Sequence, residues 1–132
     1  MGFIMEKISK EERQKYGFEI SPDRWAIDRE NNMFLINVGG FGRTSFTKFE
    51  LHIGSEVVKI VTDSKLLNDP SINCDTIFNI DLIHIPMALK PRIDEIKLAI
   101  CESLKKYGFF GNAEAVGKIT VNLPADSRIY FI

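Results

Sequence analysis

TKFELHIGSEVVKIVT, residues 47–62, decides the fold. Phe49, Leu51 and Ile53 fall on one face of an extended chain, and Lys48, Glu50 and His52 fall on the other. That period of two is what a half-buried strand requires. Gly54-Ser55 is a tight-turn signal, and EVVKIVT, residues 56–62, returns as a second strand. Working back toward the N-terminus, MFLINV (33–38) is apolar on both faces except at Asn37, as a central strand would be, and Gly39-Gly40-Phe41-Gly42 breaks it. RWAID (24–28) alternates Trp25 and Ile27, and a turn rich in Asn and charge follows at 29–32. The four pieces read as a meander.

Beyond the hairpin, 63–73 is polar, contains Asn68-Asp69-Pro70 and reads as a long loop. TIFNIDLIHI (76–85) is a further strand, expected to place Phe78, Ile80 and Leu82 on one face and Asn79 and Asp81 on the other with Ile77 and Ile83. Pro86 ends it and Pro91 opens a helix, where a missing N–H costs nothing. Ile93, Ile96, Ile100, Leu104 and Tyr107 form one stripe of that helix, Lys105 and Lys106 suit its negative end, and Gly108 suits its cap. KITVNL (118–123) alternates again, and RIYFI closes the chain as a short strand. At the other terminus, 6–16 is charged and free of Gly and Pro. The spacing of Ser9 and Glu12 is that of a capping box, and Gly17 is a stop, so a weakly held surface helix is expected. The whole predicts one α+β domain over 1–132: a mostly antiparallel sheet of about six to seven strands, a long amphipathic helix on one face, and a short N-terminal helix.

Composition bounds the function. Seventeen basic residues against 18 acidic leave a net charge of −1, without the basic excess that nucleic-acid binding normally needs. MGFIM is too short for the core of a signal peptide and is followed at once by Glu6 and Lys7; Met5 is an alternative start. No apolar run approaches the roughly 18 residues of a membrane span. Cys74 and Cys101 fall in different expected elements and read as free core thiols, in keeping with a reducing, cytoplasmic compartment.

Candidate chemistry is sparse. The turn Gly39 to Arg43 presents backbone N–H groups and one guanidinium, which could suit a phosphate, but a strand rather than a helix follows it. A hairpin connection is the simpler reading. Glu50 and His52 share a strand face beside Lys48, an arrangement open to acid–base work, although such a face is more often merely solvated. Asp81 and His84 are an odd number of residues apart and should not meet unless a bulge intervenes. Two histidines without CxxC or HxxxH spacing give no expected metal site, and no cofactor is implied. Cys101 lies in the helix beside the apolar stripe, where a core role is expected. Phe41 at a glycine-rich tip and Phe109 and Phe110 after a helix cap are candidate anchors for a protein partner, with Arg43 beside them. Asp69 and Asp75 offer charge complementarity to a basic groove.

In size, single-domain layout and charged surface, and in stretches such as WAIDRENNMFLINVGG (25–40), the chain resembles the cytoplasmic immunity proteins of bacterial polymorphic-toxin and contact-dependent growth inhibition systems. The resemblance implies a small binding protein, not an enzyme, that plugs a cognate toxin domain by occlusion. It carries no functional residue over, and the balanced charge departs from the acidic surface expected of a nuclease inhibitor. Two other classes stay open: a small-ligand or nucleotide sensor using Gly39 to Arg43, and a small enzyme using His52 and Glu50.

Overall fold

The computed structural model describes residues 2–15, 24–39, 46–63, 77–108 and 119–132. The meander is present: Arg24–Asp28 (β2), Met33–Gly39 (β3), Thr47–Ile53 (β4), Glu56–Thr62 (β5) and Ile77–Ile85 (β6) pair antiparallel in chain order. Ile53 faces Glu56 across a two-residue turn, and Gly54 takes a φ of 60° there, which glycine adopts at little cost. At the β2–β3 turn, buried Asp28 accepts the Asn31 backbone N–H (3.2 Å) and side-chain amide (2.8 Å). Asn32 supplies the positive φ of 54°.

The N-terminal segment differs from the expectation. Ile4–Lys7 is a strand, β1, paired antiparallel with β2, and the helix is only Lys10–Lys15 (α1). Pairing with β2 satisfies the backbone of Glu6 and Lys7 that a helix would otherwise have used. Ser9 does cap α1, accepting the Glu12 backbone N–H at 3.1 Å. The helix buries none of its residues, and Arg29 ties the corner together by reaching Glu6 (3.0 Å) and Glu12 (3.1 Å).

Strand β6 is bulged at Asp81. Val61 faces Leu82 but Thr62 faces Ile80, so one extra residue is inserted. This corrects the expected face assignment. Phe78 and Ile80 point into the core, and beyond the bulge Ile83 and Ile85 do so, while Leu82 turns to the outer face. The free edge of β6 carries two short parallel strands, Thr120–Asn122 (β7) and Ile129–Phe131 (β8), in effect one edge strand interrupted opposite the bulge. Arg128 spans the interruption, donating to the Asp81 carbonyl (3.3 Å) and carboxylate (3.0 Å). The sheet therefore has eight strands among the described residues.

Pro91 lies within a 3-10 turn, Met87–Arg92, and the long helix α2 runs from Ile93 to Gly108. The sheet curls around α2, which touches β1 and β2 near one edge and β7 at the other. Ile96, Ile100, Leu104 and Tyr107 are buried between helix and sheet, as the stripe predicts. A smaller cluster, Ile8, Trp25, Ile27, Phe34 and Ile36, lies on the opposite face. No helix among the described residues is long and apolar enough to cross a membrane.

Candidate functional site

The outer face of the sheet, opposite α2, carries the residues with chemistry. Cross-strand register sets Ile36, Glu50, Lys59, His84 and Tyr130 in one row over β3, β4, β5, β6 and β8. Phe34, His52 and Val57 form the next row. His52 Nε2 lies 3.1 Å from Glu50 Oε1. Their side chains are only 12% and 22% exposed, because buried Phe34 and Ile36 stand beside them on β3. The face is thus not simply solvated, and the pair is held in one orientation. Lys48, next along β4, is exposed.

The bulge brings Asp81 and His84 onto the same outer face, as the sequence reading allowed only if a bulge intervened. They have different partners: Asp81 takes Arg128, and the His84 ring meets Tyr130 edge-on at 5.7 Å. Cys101 is half-buried, and desolvation is the main influence raising its thiol pKa, opposed by nearby Lys105. A thiol so placed is a poor nucleophile. Among the described residues, no group of three or more His, Cys, Asp or Glu side chains could hold a metal ion.

The anchors expected from sequence, Phe41, Arg43, Asp69, Asp75, Phe109 and Phe110, lie outside the described residues, as does Cys74. The residues flanking those segments are described, and they gather at one end of the sheet. Gly39 pairs with Lys48, Thr47 with Thr62, and Ile77 with Thr120, while Asp63 donates its N–H to the Asn79 carbonyl (2.9 Å). Three large apolar side chains stand exposed at this end: Val38 (39%), Phe46 (48%) and Ile77 (45%). By alternation with buried Thr47 and Phe78, Phe46 and Ile77 project from the outer face, while Val38 is the inserted residue of a bulge between Asn37 and Gly39. Exposed Lys48 and Asp63 lie between them.

Sequence reasoning missed this patch. Its signal was present in the alternation, since each of the three sits one residue from a core position. Their exposure depends on what covers the outer face, which a single strand's pattern does not contain. Comparison with family models, curated proteins and solved structures finds no match to this chain.

Proposed function

We propose that the protein is a binding protein that neutralises a protein partner by occlusion, most concretely an immunity protein acting on a cognate toxin domain in the cytoplasm. The observation that carries this reading is the exposed apolar set Val38, Phe46 and Ile77, interspersed with Lys48 and Asp63. Apolar side chains rimmed by polar ones mark protein-binding surfaces. The chemistry asked of such a protein is steric, and a stiff sheet face held by α2 from behind suits it.

In this reading, Phe46→Ala and Ile77→Asp each weaken affinity for the toxin-like protein encoded by the neighbouring gene by roughly tenfold or more, as loss of an interface anchor does. Leu98→Asp, on the helix and away from the patch, leaves affinity unchanged. Calorimetry on the purified pair measures all three. Absence of any complex with wild-type protein sinks the immunity reading, and wild-type affinity in both patch variants moves the interface elsewhere.

A second reading rests on the Glu50–His52 contact. A carboxylate that orients an imidazole is the usual setting of a general base. The binding reading expects His52→Ala to protect toxin-expressing cells as well as wild type. Loss of protection by a His52→Ala protein that is folded, by its circular dichroism and melting temperature, would favour the acid–base reading.

A further inference from the structure

The two edges of the sheet are guarded unequally. An edge strand presents unpaired N–H and C=O groups, and folded proteins blunt it with charge, proline or a cover. At one edge, β1 carries Glu6 and Lys7, and Arg29 ties Glu6 to Glu12 of α1. At the other, β7 exposes Thr120 and Asn122, and the Asn122 amide donates to Asn79 at 2.7 Å. β8 has none of these devices. Ile129, Tyr130 and Phe131 bear no charge and include no proline, and among the described residues β8 pairs with β6 alone.

The hydrogen bonds around β8 show which of its groups face outward. Ile132 donates its N–H to the Ile85 carbonyl (2.9 Å) and accepts the Met87 N–H (2.8 Å). Backbone groups alternate in direction along a strand. Tyr130 therefore also turns its own toward β6, and Ile129 and Phe131 turn theirs away. The Ile129 N–H is taken by the Asp126 carbonyl. The N–H and C=O of Phe131 stand at the free edge, with no partner among the described residues. Large apolar side chains gather beside them. Tyr130 is 45% exposed and Ile132 65%. Two apart on the strand, they share the outer face, where the His84 ring meets Tyr130 edge-on at 5.7 Å. Met87, bonded to Ile132, is exposed as well.

We propose that β8 is an interface between two copies of this chain, which pair antiparallel through it about a two-fold axis at Phe131. In this register each Phe131 donates its N–H to the Phe131 carbonyl of the second copy, the reciprocal pair of an antiparallel ladder. Tyr130 stands opposite Ile132 of the second copy, and Ile132 opposite its Tyr130, so the exposed apolar side chains cover one another. The strand is its own complement. With no charged side chain from Ile129 to Ile132, the two-fold sets no like charges face to face. That self-complementarity selects a second copy as the occupant. A contact of one short strand falls below the roughly 1,200 Å² of a standard interface, so the dimer is weak and reversible. It lies at the Ile85 end of β6, whereas exposed Ile77, proposed to dock a protein partner, lies at the other end. The two proposals stand or fall separately.

Sedimentation velocity of the full chain over roughly 10 µM to 1 mM is expected to show a monomer passing into a dimer. Over the same range, amide exchange read by NMR is expected to slow about threefold or more at Phe131. It stays unchanged at Tyr130, whose N–H already serves β6. Tyr130→Lys, at an exposed position, is expected to weaken the dimer roughly tenfold. Adding Ile132→Glu to it sets opposite charges across the axis and is expected to restore affinity to within about threefold of wild type, a rescue that high salt removes. A monomer throughout that range, a dimer that leaves Phe131 exchange unchanged, or a dimer indifferent to Tyr130→Lys overturns the proposal. So does a double variant that binds no better than the single one. Should Tyr130→Lys fail to fold, wild-type exchange at Phe131 decides alone.

Discussion

Phe49→Ala is expected to destabilise the protein by about 3–5 kcal/mol, the range for removing a fully buried aromatic ring. Phe49 is 1% exposed at the centre of the curl. It meets Phe78 and Tyr107 edge-on, at 6.4 and 5.2 Å, and such pairs add about 0.5–1.5 kcal/mol beyond area burial. Its strand is paired on both sides, so the surrounding backbone cannot close over the space. A domain with a total stability of about 5–15 kcal/mol loses a large share of it. Urea denaturation measures this as a lower midpoint with an unchanged slope. A loss below about 1 kcal/mol would mean that the ring leaves no lasting cavity, contrary to the packing described here.

The helix provides the second large effect. Ile100→Ala is expected to cost about 2–5 kcal/mol, and Leu98→Ala no more than about 0.5 kcal/mol. Ile100 is fully buried against the sheet, whereas Leu98, two residues earlier, is 61% exposed. The contrast isolates burial from helix propensity, since both substitutions introduce the same good helix former. Equal losses at the two positions would place the helix face wrongly.

The parts of this fold that were legible in sequence are those set by local alternation. Residues 24–28, 47–53 and 56–62 match their strands at both ends, and the stripe Ile96, Ile100, Leu104 and Tyr107 is the buried face of α2. The parts that were not legible depend on distant partners. Glu6 and Lys7 pass for the start of the charged helix expected over 6–16, and only the edge of β2 makes Ile4–Lys7 a strand. The bulge at Asp81 is braced by Arg128, 47 residues away, and it inverts the face of every residue after it. Parallel pairing of β7 and β8 with β6 leaves no short-range signature, because parallel neighbours are joined through long connections.

The outer-face chemistry was half legible. Period two placed Glu50 and His52 together, but their near-burial comes from Phe34 and Ile36 on a neighbouring strand. Asn37 stood out as the one polar residue in MFLINV. That its Oδ1 accepts the Gly39 N–H across the Val38 bulge, while its Nδ2 meets no partner among the described residues, is a property of the folded sheet.

The central claim is that the exposed apolar set Val38, Phe46 and Ile77 docks a protein partner. Hydrogen exchange read by mass spectrometry, on the full chain with and without the neighbour-encoded toxin-like protein, tests it most directly. Slowed exchange is expected at Val38–Gly39, Phe46–Lys48 and Ile77–Asn79, with α2 unchanged. A complex that protects α2 and leaves those three stretches as they are in the free protein would contradict it.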